Sequence, residues 1–373
     1  MSELTFYKPD NKRKKAQLRI PECHDLYICP PGCGRRAAIR AFKNGEQRFQ
    51  SFLTMTESDA VFGHHIERVA DAISELLDVL QQPKAFMLHF NCVDSFTGTD
   101  TDALINNLRS AFPDISFLAV HSDPINRVEK ISMGGEHHAR MYELLKPAKS
   151  RNCGVNFLGH YTSLDSECEL FKILSACGVS EVRELFSCGS FSQYQQMAAS
   201  HLNIALMPMG ITAAENMEAR LGIPFVFCPV SFDIDETLES YRRIAEAFSA
   251  ELPDLASDVL QTRSAISEAA ARMGDTEIVV TSDNTMRPFA LSETLLAYGF
   301  KVAAVSVTQV KPEDEFAYER FIRNHPEVKL LRERSIKASK SNYYSLPIYR
   351  DEGYCGLHGI RKLMSRLGNG VSI

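Results

Sequence analysis

Buried strands that alternate with amphipathic helices are the feature of this sequence that most restricts its fold. The segment Ala85–Phe90 is almost entirely apolar, which is typical of a strand buried on both faces of a sheet. Apolar residues recur at helical spacing in Ile66–Leu80, which predicts a helix that packs against such a strand. The same unit recurs around Val155–Cys177 and Thr276–Tyr298. This order predicts an α/β fold with parallel, doubly wound sheets.

The boundaries between these units are predicted from local composition. The polar, proline-containing segment Lys146–Asn152 separates the first unit from the second, and two long helical segments connect the second to the third. We therefore predict five parts. They are an N-terminal arm (1–25), a first domain with cysteine-bearing turns (26–148), a second domain (149–233), connecting helices (234–274), and a third domain with the C-terminal helix (275–373).

The composition argues against several classes of protein. The chain of 373 residues has a formal net charge of −6, which argues against nucleic-acid binding, and its basic cluster Lys12–Lys15 is interpreted as a solvated arm. The sequence has no run of about 18 apolar residues and no signal peptide, so we expect a cytoplasmic protein outside the membrane. In that compartment its ten cysteines are not a disulfide framework.

Two turns carry cysteines where a predicted strand ends. The turn Cys29-Pro-Pro-Gly-Cys33-Gly follows the apolar segment Leu26–Ile28, and the turn Asn91-Cys92 follows Ala85–Phe90. The carboxyl ends of two strands of one sheet can bring these thiols together, and thiolates at such places bind soft metals and iron–sulfur clusters. The alternative is that the cysteines are small buried hydrophobic residues.

Three further features are candidates for binding. Arg35 and Arg36 begin a predicted helix, where cations oppose the helix dipole, so they could bind an anionic substrate or form a solvated helix face. Cys188 lies on a strand-to-helix turn, where it could line a substrate cleft or have only a structural role in the turn. The neighbours His64 and His65 point apart on a helix, which argues against joint metal ligation and favours polar surface or cleft lining.

The order of these landmarks resembles the nitrogenase component 1 family of oxidoreductases. That family includes the nitrogenase catalytic subunits, the dark-operative protochlorophyllide and chlorophyllide reductases, and the nickel-sirohydrochlorin a,c-diamide reductive cyclase. The short length and the arginine-rich turn after Cys33 are most similar to the reductive cyclase branch. The matching segments cover nearly the whole chain after residue 25, and they are Pro31-Gly-Cys33, Met55–Gly63, Asn91-Cys92 with Gly98-Thr-Asp100, Asn156–Gly159, Asp165–Gly178, Ala205–Gly210 with Met217–Pro224, and Gly353–Gly359.

The resemblance implies three Rossmann-like domains and a dimer, either of this chain or with a related component 1 subunit. It also implies an iron–sulfur cluster at the subunit interface, and Cys33 and Cys92 fall on the family's recurrent ligand positions. A third ligand position corresponds to residues 6–10, where this sequence has no cysteine, so Cys29 and Cys23 are possible substitutes. Two thiolates from each chain would suit one shared [4Fe-4S] cluster.

The resemblance further implies that an ATP-hydrolysing iron protein supplies electrons. This chain has no G-x-x-x-x-G-K-[ST] motif, so we expect no nucleotide on it. The segment Leu206–Gly210 has no cysteine, so we do not expect the nitrogenase active-site cofactor or dinitrogen reduction. We predict a catalytic subunit that reduces a bound substrate, for example a tetrapyrrole whose carboxylates contact Arg35 and Arg36. The alternatives are a metallocofactor assembly scaffold of the same family and a non-metal α/β binding protein or sugar-nucleotide transferase.

Overall fold

The structure is a computed structural model that describes residues 18–80, 82–121, 133–332, 343–351 and 353–368. These residues fall into two compact units. The first unit comprises the described residues within 1–129, 140–146 and 185–196, and the second those within 130–139, 147–184 and 197–373. The basic cluster at 12–15 and the candidate ligand position at 6–10 lie outside the described residues.

The first unit contains a four-stranded parallel sheet with the strand order β2-β1-β3-β4. All six residues of the central strand β3 are buried, as the apolar segment predicts. Residues of the helices α3 and α5, such as Val69 and Leu108, pack on one face of this sheet with Leu26 and Leu88. The elements are β1 (Cys23–Cys29), α1 (Pro31–Asn44), β2 (Gln50–Thr54), α2 (Glu57–Phe62), α3 (His64–Val79), β3 (Ala85–Phe90), α4 (Cys92–Thr97), α5 (Thr101–Ala111) and β4 (Ser116–His121).

Two more four-stranded parallel sheets lie in the second unit, with the orders β6-β5-β7-β8 and β11-β10-β9-β12. The predicted α/β fold with three Rossmann-like parallel sheets is therefore confirmed. The remaining elements in chain order are α6 (Met133–Arg140), β5 (Gly154–Leu158), α7 (Glu169–Ala176), β6 (Glu181–Glu184), α8 (Phe191–Gln196), β7 (Leu202–Ala205), α9 (Ile211–Leu221), β8 (Phe225–Phe227), α10 (Ile234–Ala247), α11 (Ala256–Met273), β9 (Glu277–Thr281), α12 (Pro288–Ala297), β10 (Lys301–Val307), α13 (Pro312–Asn324), β11 (Lys329–Arg332), β12 (Tyr344–Ser345) and α14 (Gly356–Arg366).

Each sheet has its own hydrophobic core, and in the second unit the C-terminal helix α14 contributes to the core of the third sheet through residues such as Leu357 and Leu363. The predicted ends of the five domain parts stay predictions, because the three sheets do not show where one domain ends and the next begins. Among the described residues, no helix is both long enough and apolar enough to span a bilayer.

Candidate functional site

The two cysteine-bearing turns follow neighbouring strands of the first sheet. Strand β1 pairs in parallel with β3, and Tyr27 lies opposite His89 in the register. Cys29 is the last residue of β1, and Cys92 follows Phe90 at the end of β3 after one intervening residue. The two turns therefore leave the same edge of the sheet, as the sequence predicts.

Cys33 is exposed near the start of α1, whereas Cys29 is buried beneath the first turn of that helix. The packing depends on Gly34, where a Cβ would lie 2.8 Å from the Phe52 ring and 3.1 Å from Sγ of Cys29. Glycine lets the first turn of α1 approach the end of the strand. One thiol thus faces outward and the other is covered.

Cys29 is a covered thiol with a raised pKa. Burial is the main cause of a rise to about 11, to which the nearby Cys33 and Asp94 also contribute and which a hydrogen bond with the Gly34 backbone partly offsets. A thiol has to lose its proton to become a metal ligand. Burial therefore works against Cys29 as a metal ligand.

Cys92 is half-buried at the first position of α4, and Asn91 fixes its turn. The Asn91 side chain accepts a hydrogen bond from the Val93 N–H at 2.9 Å and donates one to the carbonyl oxygen of Ile28 at 2.9 Å. The first bond caps α4, and the second ties this turn to β1. Asn91 therefore holds the turn after β3 to the strand that leads to Cys29 and Cys33.

A buried aspartate–histidine pair supports the same turn. Asp94 accepts a hydrogen bond from the Asn91 N–H at 3.1 Å, which completes a capping box, and its other oxygen lies 3.0 Å from Nε2 of His65. His65 is fully buried, so the prediction of polar surface or cleft lining is wrong for it, whereas His64 is exposed. A sequence signal was available, because His65 shares a four-residue spacing with the buried Val69 and Ile73.

The predicted anion-binding residues Arg35 and Arg36 are both exposed on α1, whose first turn has no acidic residue. Their neighbour Arg40 has a protein partner, because it hydrogen-bonds to the hydroxyl of Tyr27. The placement of Arg35 and Arg36 leaves the choice between an anionic partner and a solvated surface as a prediction.

Cys188 is half-buried in a tight turn that follows β6, and its N–H donates to the carbonyl oxygen of Leu185 at 3.2 Å. The next residue, Gly189, donates to the side chain of Gln193 in α8 at 2.7 Å. These bonds hold the turn in shape whether or not the thiol contacts a ligand. A substrate-lining role for Cys188 stays a prediction.

A second polar group of residues lies in the second unit, where β5 ends, and the sequence analysis did not identify it. His160 places its Nε2 atom 2.8 Å from a carboxylate oxygen of Glu184, the last residue of β6. Gly159 adopts the left-handed conformation, with a φ angle of +93°, and its N–H donates to Nε2 of His138 at 2.8 Å. Burial lowers the pKa of His138 to about 3, so this ring is neutral.

Arg350, which follows the third sheet, acts on Tyr161, the residue after His160. Burial raises the pKa of Tyr161, and the positive charge of Arg350 partly opposes that rise. Arg350 follows β12 in a left-handed conformation with a φ of +49°. A cation, a phenol and a histidine–carboxylate pair therefore accompany one another here, a set that can bind an anion and carry protons.

All ten cysteines of this chain are free thiols in the structure. Within the described part of the chain, no group of three or more histidine, cysteine, aspartate or glutamate side chains is arranged to hold a metal ion. The first sheet thus presents two accessible thiols from neighbouring turns instead of a complete set of ligands from one chain.

Comparison with known proteins gives the family. A search of curated proteins finds no match. A solved structure of nitrogenase Cp1 at pH 6.5 is 15% identical, with a TM-score of 0.67, and the match covers 95% of this chain and 89% of that one. A structure of nitrogenase Cp1 at pH 5 is 18% identical, with a TM-score of 0.58, and the match covers 95% and 85%. At these identities the likeness shows the fold alone, and the resemblance to the reductive cyclase branch stays a prediction. The family model for nitrogenase component 1 type oxidoreductases matches residues 15–337, and because it spans most of the sequence, this chain belongs to that family.

Proposed function

We propose that this chain is the catalytic component of a two-component reductase, which binds an iron–sulfur cluster through Cys33 and Cys92. The supporting observation is that these two thiols follow neighbouring parallel strands. Cys33 is exposed and Cys92 half-buried, whereas Cys29 is buried. Such an edge of a parallel sheet is where α/β proteins bind their ligands. Asn91 keeps the two turns together before any ligand arrives.

The residues present fit a cluster that is shared between two chains. A four-iron cluster takes four thiolates, so two from each chain would complete it. The second chain would be another copy or a related component 1 subunit, and Cys29 is the reserve ligand on this chain. When bound, such a cluster would supply one-electron transfer.

The surface near the thiols supports a protein partner. Two phenylalanines on the short helices that follow β2 and β3 are strongly exposed: Phe62 by 70% and Phe96 by 72%. Large exposed apolar side chains mark surfaces that contact other proteins. Under this proposal the surface is shared between the second subunit and an ATP-hydrolysing iron protein that delivers electrons.

The polar residues of the second unit support the substrate side of the proposal. Arg350 supplies a permanent positive charge for a carboxylate of the substrate, such as that of a tetrapyrrole. The carboxylate of Glu184 orients the imidazole of His160, which can hold a proton and deliver it to the substrate. Tyr161 offers a second proton donor beside Arg350.

Electron transfer from the partner tests this function without knowledge of the substrate. Anaerobically purified protein is mixed with reduced iron protein, and its visible absorbance is followed with ATP, with ADP and without nucleotide. We expect a change in absorbance only with ATP. Reduction at the same rate without nucleotide would contradict a two-component reductase. A loaded protein that never accepts electrons but passes its metal to another protein would support the scaffold alternative, and a colourless protein the non-metal one.

A further inference from the structure

Both ring nitrogens of His65 lie within hydrogen-bond distance of an oxygen atom. Nε2 lies 3.0 Å from a carboxylate oxygen of Asp94, and Nδ1 lies 3.1 Å from the carbonyl oxygen of Asp59. Since the side chain is 0% exposed, water does not replace either partner. His65 is thus a buried bridge between Asp94 and the backbone of α2.

Asp94 collects hydrogen bonds from three residues. Its oxygens accept from the N–H of Asn91 at 3.1 Å, from the side-chain amide of Asn91 at 3.2 Å and from the hydroxyl of Thr99 at 3.3 Å, besides the contact with His65. The Asp94 side chain is only 1% exposed, so these partners take the place of water.

The His65–Asp94 pair connects three parts of the first unit. Asp94 follows Cys92 by two residues and, through Asn91, holds the turn that is tied to β1. His65 lies in the first turn of α3 and binds the backbone of α2 at Asp59, whose own carboxylate caps α2 and pairs with Arg68 at 2.9 Å. The pair therefore ties the turn of Cys92 to α2 and α3.

We propose that His65 is a positioning residue for the cluster, which locks the Cys92 turn in place by its contact with Asp94 beside the thiols. The proposal rests on the proposed function, because it takes Cys92 as a ligand. Without the imidazole, the buried carboxylate of Asp94 loses its partner on α3. The turn then loosens, and the less compensated negative charge stabilises the oxidised form of a neighbouring cluster.

A double-mutant cycle on the full-length protein tests both roles of His65. The variants are His65→Gln, Asp94→Asn and the combination of the two, and the control is His64→Gln, a substitution of the exposed neighbouring histidine. Hydrogen exchange of the amides in 91–98 is measured on the apoprotein, and the midpoint potential is measured on the cluster-loaded protein. The first readout does not depend on the cluster, and the second responds to charge.

For His65→Gln we expect exchange in 91–98 to become faster by about tenfold or more and the potential to become more negative. Asp94→Asn should shift the potential in the opposite direction. In the double variant, where the introduced amides can bond to each other, the potential should return toward that of the wild type, and the control should match the wild type.

Wild-type exchange and potential in His65→Gln would overturn the proposal. So would shifts of the same sign in both single variants, which indicate a general loss of structure. A wild-type protein that holds no cluster would contradict the proposed function, while exchange in the apoprotein would still decide whether His65 holds the turn.

Discussion

The first and second sheets share one strand order but differ in what their strand ends carry. In β2-β1-β3-β4 and in β6-β5-β7-β8 the chain reverses direction across the sheet between the first strand and the third. Ligands of open α/β sheets bind outside this point. In the first sheet the corresponding turns carry Cys33 and Cys92, and Asn91 bridges them through a side chain. In the second sheet the turns are in direct backbone contact.

Two glycines close the second sheet at this point. A Cβ on Gly210 would lie 2.8 Å from the carbonyl carbon of Leu158 and 2.9 Å from Cα of Gly159. Because no group fits between these turns, the polar side chains of His160 and Glu184 extend from the neighbouring strand ends instead. The comparison teaches that one topology can present two sets of side chains: accessible thiols on one sheet, and a histidine–carboxylate pair on the other.

The largest expected effect is the acid sensitivity of the second sheet. Because the folded pKa of His138 is about 3 and its ordinary value is 6.5, the unfolded chain binds more protons between these values. His138 therefore contributes stability above pH 6.5 that is lost as the pH falls toward 3, by about 1.4 kcal/mol for each pH unit. Chemical denaturation from pH 7 to pH 4 should show this loss, and His138→Gln should reduce it. An unchanged slope in the variant would show that His138 is not the group responsible.

Alanine substitutions at Gly210 and Gly34 compare the close packing at the strand ends of the two sheets directly. Gly210→Ala places a methyl group against backbone that cannot yield, and we expect a loss of about 3 kcal/mol in the free energy of unfolding. Gly34→Ala meets the Phe52 ring and the Cys29 sulfur, side-chain atoms that can shift, and should cost about 1 kcal/mol. Gly32→Ala, which meets no atom within 4 Å, is the control and should not destabilise α1. Equal losses at Gly210 and Gly34 would remove the distinction between the two sheets.

The exposed apolar surface near the thiols should affect association more than folding. Phe62→Ser and Phe96→Ser are each expected to weaken association of cluster-loaded chains by about tenfold, because strongly exposed aromatic side chains often anchor interfaces. Leu260→Ser is the matched control, since that residue is 71% exposed on α11 in the second unit. Light scattering over a range of concentrations measures the change. A loss of association with Leu260→Ser as large as that with Phe62→Ser would contradict the assignment of this surface.

The sequence was informative where structure depends on neighbours in the chain. The apolar runs and the cysteines that follow them predict the parallel sheets and the two thiol turns, because strand ends are local features. The pairs His65–Asp94 and His160–Glu184 join residues 29 and 24 positions apart, so only the register of the strands brings them together. Of the adjacent histidines His64 and His65, only His65 shares the four-residue spacing of Val69 and Ile73, and helix packing leaves it buried and His64 exposed.

The iron and sulfide content of three cysteine variants tests the central claim most directly. Cys33→Ala, Cys92→Ala and the control Cys153→Ala, an exposed cysteine of the second unit, are purified without oxygen and assayed for iron and acid-labile sulfide. Circular dichroism confirms that each variant is folded. The account predicts that both turn variants lose the cluster, whereas the control keeps the wild-type iron and sulfide content. Full iron and sulfide in either Cys33→Ala or Cys92→Ala would contradict the assignment of the ligands.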